Sequence, residues 1–293
     1  MLYNQALGCS VLLVALFGLA HNFFLSAGGM LGAPLPSTHP LTAAGLVILA
    51  IAMFFRAQWH QAAWLRVPLC LAMILISGLR VAEALFPSHI SFFAAGSMTT
   101  FLESAGLHGR FSVETAVFLA ACFCFELTHE RQGTLRLLLV SICLAVLSLG
   151  FTETVYAFFL WGNELSVITQ FAMWLVSVDL LVRIRNQQPL RSFFSPGKPN
   201  FYLQFTALAL YLLPMILGAV LLNKLHITAE KSAPFELVFA ATSCVLLAIV
   251  VTLGTYLDRD SAGESASSMI GSNGKSPADT RRSDPARRKT RKV

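Results

Sequence analysis

The chain has 293 residues, of which 56% are hydrophobic and only 12% charged, and its formal net charge is +6. A soluble domain of this size needs more charge to cover its surface, so the composition predicts an integral membrane protein. The positive charge does not indicate a nucleic-acid binder, because it is concentrated at one end: from Lys275 to Val293 there are eight basic and two acidic residues.

The apolar residues fall into runs long enough to cross a hydrocarbon core, which takes about 20 helical residues. Eight spans are predicted, at 7–28, 40–56, 67–86, 112–128, 136–160, 165–184, 201–223 and 235–257. The expected fold is all-α, a polytopic membrane protein with eight transmembrane helices arranged as four helical hairpins over residues 1–257. Residues 258–293 follow as a disordered basic cytoplasmic tail that touches anionic lipid.

The first span lacks a basic segment before it and is too long for a secretory signal, so it is expected to be retained. Arg56, Arg66, Arg131, Arg136, Arg183, Arg185, Arg191 and Lys198 fall in one set of loops, and only Arg110, Lys224 and Lys231 in the other. The positive-inside bias therefore places both termini in the cytoplasm. Trp59 and Trp64, in the first inner loop, are expected to act as interface anchors.

The even-numbered spans begin alike. THPLTAAGLVILA, GRFSVETAVFLAA and GNELSVITQFAMW align on Thr42, Thr115 and Thr169. Ser112 and Ser166 stand three residues before their threonines, and His39 holds that place in the first copy, followed by Pro40. These are helix starts with capping side chains. A fourth copy, SAPFELVFAATSC, has Leu237 at the threonine position. The odd-numbered spans share a glycine near their outer ends, Gly18, Gly78, Gly150 and Gly218, where a small residue lets helices approach closely. The repeating unit is an odd helix with glycine, an outer loop and an even helix with a capped start.

Ionisable residues within spans are costly and are functional candidates by default. His21 and Asn22 follow Gly18 by three and four residues, as Glu153 and Thr154 follow Gly150, so each polar pair shares a face with its glycine. Arg80 and Glu83 follow Gly78 by two and five and point elsewhere. Glu114 distinguishes its copy of the capped start from the other two. The candidate ligand-binding set is thus His21, Asn22, Arg80, Glu83, Glu114 and Glu153, lining an outward cavity for a small polar ligand, proton or ion. The structural alternative pairs Arg80 with Glu83 or Glu153 and bridges helices through His21 and Asn22. Glu126 and Asp179 lie toward the inner side.

No metal or cofactor is expected. The six cysteines all fall within spans, and Cys122 and Cys124 point about 200° apart on a helix. His39, His89, His108 and His226 lie outside, with His21 close by, but none has helical ligand spacing. No nucleophile elbow or paired acid setting marks the chain as an enzyme.

The capped starts THPLTAAGLVILAIAMFF and GRFSVETAVFLAACF resemble the MASE-like integral-membrane sensory region at the amino terminus of bacterial sensor histidine kinases and diguanylate cyclases, over about residues 5 to 257. That resemblance implies a multi-pass sensor of the bacterial inner (cytoplasmic) membrane. No kinase histidine box, GGDEF-type signature or nucleotide-binding glycine motif occurs in this sequence, so the sensor is expected to act on a separate partner, a histidine kinase or diguanylate cyclase, with a homo-oligomer as one form of the assembly. Two other classes fit the composition: a small-solute transporter or permease subunit, and an assembly factor of a membrane enzyme complex.

Overall fold

The computed structural model describes residues 2–26, 38–86, 111–128, 133–156, 167–186, 190–191, 198–224 and scattered positions between 238 and 252. All regular structure among them is helical. The helices are α1 (Leu2–Ser26), α2 (Pro40–Phe54), α3 (Arg56–Gln61), α4 (Ala63–Leu85), α5 (Val113–Leu127), α6 (Gly133–Tyr156), α7 (Val167–Ile184) and α8 (Lys198–Lys224). Residues 87–110, 157–166 and 253–293, and most of the expected eighth span, lie outside the described residues.

Among the described residues, two helices, Ala63–Leu85 and Gly133–Thr152, are long and apolar enough to cross a membrane. The apolar stretches Gln5–Ala20, Pro40–Phe54 and Gln204–Gly218 are shorter. At 15 residues each, α2 and α5 reach only about 22 Å, less than a hydrocarbon core of roughly 30 Å. Eight full-length spans are thus more than the helix lengths display. The helix at 63–85 also starts four residues before the expected 67, and carries Pro68 in its second turn.

The helices that share the capped start are the core of the bundle. Buried residues make up eight of the 15 in α2 and nine of the 15 in α5, against four of the 23 in α4. α2 touches α5 and α7; α1 lies against α2 and α7, α6 against α5 and α7, and α4 against α5. The even helices of the repeat therefore form an inner row that the antiparallel odd helices flank. Phe118, Leu119, Cys122 and Phe123 of α5 interlock with Leu46 and Leu49 of α2, Cys143 and Leu147 of α6, and Met173 and Val176 of α7 in one dense cluster. Cys122 and Cys143, both wholly buried, approach to 3.7 Å between sulfurs.

Glycine serves close approach at some of the expected places. A Cβ on Gly18 would lie 2.6 Å from the Thr38 hydroxyl, and one on Gly150 2.3 Å from the Gln170 amide. Gly78 does not follow the pattern: nothing lies within 4 Å of its Cβ position, because that face of α4 is turned outward. The tightest backbone approach falls instead at Gly8, whose Cβ position is 3.0 Å from the Phe54 nitrogen and 3.1 Å from the Ala50 oxygen.

Candidate functional site

Two polar clusters occupy opposite ends of the inner row. At the end where α2, α5 and α7 begin, the expected caps form. His39 has extended backbone (φ −60°, ψ 138°), and its Nδ1 accepts from the Leu41 N–H at 3.2 Å. Ser112 (φ −70°, ψ 154°) accepts from the Thr115 N–H at 3.2 Å, with the two hydroxyls 2.9 Å apart. Each satisfies one of the four N–H groups a helix start leaves open. Ser166 lies outside the described residues. Thr42, Thr115 and Thr169 are each the third residue of their helix, and all three are buried. Thr115 pairs with Ser112, whereas Thr169 donates to Thr38 at 3.2 Å, tying α7 to the start of α2.

The same end holds Arg80 and Glu83. Arg80 Nε donates to the Phe111 carbonyl at 2.6 Å, just before the α5 cap, and its Nη1 lies 3.3 Å from Glu83 Oε2. The Glu83 side chain is 3% exposed and that of Arg80 20%. The guanidinium therefore sits at the rim and clamps α4 onto the entrance of α5. The His39 ring stacks on Phe111, centroids 5.5 Å apart at 20°. Burial first, and then the Arg80 charge, push the His39 pKa down to about 4. The neutral ring is the form that can cap α2, because Nδ1 must accept.

Of the expected ligand-binding residues, Arg80 and Glu83 are thus brought together, and with each other. Glu114 is half-buried in the first turn of α5, where a carboxylate favours the positive end of the helix. The side chains of His21, Asn22 and Glu153 lie outside the described residues, as do His89, His108 and His226. Next to this end, Leu13, Val14, Phe17, Ile168 and Phe171 line an open apolar groove of about 400 Å³. Among the described residues, no three His, Cys, Asp or Glu side chains gather as a metal site would require.

The cluster at the other end is more deeply buried. Arg183 of α7 forms an ion pair with Glu126 of α5 through Nη1, and its Nε lies 2.6 Å from Asp179 Oδ2, one turn earlier on α7. All three side chains are 2–3% exposed. The Phe125 ring receives two guanidinium groups, Arg136 at 4.3 Å and Arg183 at 5.9 Å from its centroid, each favoured by the ring's negative face. Arg56 lies within electrostatic range of all three members of the triad and of Arg136. Trp59, expected at an interface, is instead only 5% exposed and belongs to the core cluster, whereas Trp64 is 79% exposed. A guanidinium held by two carboxylates from two helices fixes their relative position, and it has few alternative arrangements that avoid stranding a charge.

This triad is absent from the residues selected by sequence. Asp179 and Arg183, four apart on one helix, are a visible pair. Their junction with Glu126, 57 positions from Arg183, depends on how α5 packs against α7.

Comparison of the chain with known protein families, with curated proteins and with solved structures finds no match.

Proposed function

We propose that the chain is a multi-pass sensory or regulatory protein of the bacterial inner membrane. In this reading it has eight membrane helices in four hairpins and both termini in the cytoplasm. It detects a periplasmic or membrane-borne cue at the capped end and relays it, as a displacement of α5 against α7, to a cytoplasmic signalling partner. Membrane residence is supported by the outward apolar surface. Leu71, Leu75 and Leu85 of α4, Leu138 of α6, and Phe205, Leu213 and Ile216 of α8 are all more than half exposed, and exposed apolar surface of this kind suits a membrane.

The observation that carries the relay reading is the buried Glu126–Arg183–Asp179 triad. It joins the ends of the same two helices whose beginnings are tied to Thr38 and to Arg80. A densely packed core lies between, with Phe118, Leu119, Phe123 and Leu147 at 2% exposure or less. Such a core passes on rigid-body shifts instead of absorbing them. The cluster at the capped end would supply the differential contacts with the cue that any shift requires.

Affinity purification of the full chain from its native membranes tests the proposal. Recovery of a kinase, cyclase or comparable signalling enzyme supports it, and removal of residues 258–293 should release that partner while leaving membrane insertion intact. Recovery as a stoichiometric subunit of a membrane enzyme complex would point to assembly. Solute uptake dependent on Arg80 would point to transport.

A further inference from the structure

The end of the bundle that holds the triad carries more positive than negative charge. Arg56, Arg66, Arg136 and Arg183 gather around two carboxylates, Glu126 and Asp179, and Arg183 engages both. The surplus falls on the connection from α2 to α4. Among the described residues neither Arg56 nor Arg66 forms an ion pair; Arg66 Nη1 lies 2.7 Å from His60 Nδ1. Burial, ahead of the opposing pull of Glu126, lowers the His60 pKa, with Arg66, Arg183 and Arg56 adding to the effect, so this ring offers Arg66 a neutral contact.

Several buried donors beside these charges are also unsatisfied, two of them on α3 and the start of α4. The Nε–H of Arg66 and the indole N–H of Trp59 are buried and meet no acceptor. Buried donors without acceptors are rare in folded proteins and mark a missing partner. Arg56 and Arg66 are only half-buried, and Trp64, Leu65 and Val67 directly beside them are exposed. The Arg56 and Arg66 guanidinium groups thus stand at the margin where the apolar surface of α4 begins.

We propose that Arg56 and Arg66 bind the phosphodiester of an anionic phospholipid headgroup whose acyl chains lie along the outer face of α4. Guanidinium groups match phosphate oxygens in geometry and charge, and basic pockets between helices on the cytoplasmic side suit such headgroups. A free phosphate would satisfy the same donors but would leave Trp64, Leu65 and Val67 uncovered. The inference rests on the membrane part of the function proposed above and not on its sensory part.

The test uses the full chain in phosphatidylcholine nanodiscs, with phosphatidylglycerol substituted for a growing share of the lipid, and thermal unfolding as the readout. Phosphatidylglycerol should raise the midpoint by roughly 5 °C when its local concentration far exceeds the dissociation constant. The double variant R56Q/R66Q should lose at least half of that rise, whereas R287Q/R288Q, which removes equal charge from the tail, should keep it. If the double variant fails to enter nanodiscs, R56Q alone, at a half-buried position, gives the same comparison. Equal losses in the two double variants, or no rise in the wild-type chain, would overturn the proposal. An equal rise from soluble glycerol phosphate would assign the donors to a free anion and overturn it as well. Stable incorporation into phosphatidylcholine alone preserves the membrane reading under any of these results.

Discussion

Replacing Arg183 with methionine removes the one cation that both Glu126 and Asp179 hold, and leaves two carboxylates with side chains 2–3% exposed. Breaking a buried pair by deleting one partner costs about 3–5 kcal/mol. The charge-assisted hydrogen bond to Glu126 supplies about 1.5–3 kcal/mol of this, and the ion pair with Asp179 the rest. Arg56 remains in range of both carboxylates, which argues for the lower part of that interval. For a chain of this size the loss corresponds to a fall in thermal midpoint of roughly 10 °C. The triple variant E126M/D179L/R183M removes every charge together and should recover to within about 2 kcal/mol of the parent. Thermal unfolding of the four proteins in one detergent, with E126M/D179L as the fourth, supplies the assay. A fall of less than about 2 °C for R183M, under 1 kcal/mol on this scale, would refute a desiccated triad. A triple variant no more stable than R183M would show that shape, not charge, makes these positions sensitive.

The other predictions concern the caps and the helix contacts. His39 is neutral in the fold, with its pKa lowered from 6.5 to about 4; its contribution is complete above pH 6.5 and is lost as pH falls through 4, about 3 kcal/mol in all. His39→Asn keeps a capping acceptor without the titration, so the difference between variant and parent midpoints should narrow from pH 7.5 to pH 4.5; parallel pH profiles would contradict this, since Arg80 and Glu83 remain in both. Gly8→Ala places a Cβ 3.0 Å from the Phe54 nitrogen and should cost about 1–3 kcal/mol through displacement of α1 from α2. Gly78→Ala meets nothing within 4 Å and should be neutral or gain up to about 1 kcal/mol in helix propensity; a reversed order of the two variants would show that the glycine contacts are misassigned. Ser112→Ala should cost about 1 kcal/mol by removing the α5 cap, measurable as a lower unfolding midpoint.

The helical class and the capped starts are legible in sequence because they depend on local chemistry. Ser112 and His39 stand immediately before apolar runs, and they cap α5 and α2 as their spacing predicts. What the repeat means in three dimensions is less visible: the three threonines share a helix position, yet Thr115 pairs with its own cap Ser112 whereas Thr169 donates to Thr38. Glycine shows the limit clearly. Gly78 and Gly150 look alike in sequence, but one faces open space and the other meets Gln170, because the face a helix turns inward is set by its neighbours. The same limit hid the triad, in which Glu126 meets Arg183 only through packing of α5 against α7. The burial of Trp59 escapes sequence for a related reason. The short helix α3 folds its indole back into the core, whereas the exposed Trp64 begins the next helix.

The relay itself is tested most directly by a distance between the far ends of α5 and α7. Spin labels at Thr128→Cys and Arg185→Cys, with Cys9, Cys124 and Cys244 replaced by serine, report that separation by pulsed electron resonance in nanodiscs. R183M should broaden or shift the distribution and so calibrates the response. The account predicts that Thr169→Val, at the opposite end of α7, also displaces it, by about 1–2 Å as expected of packed helices that shift together. A distribution that moves with R183M but is unchanged by Thr169→Val and by Arg80→Gln would contradict a mechanical link between the two ends.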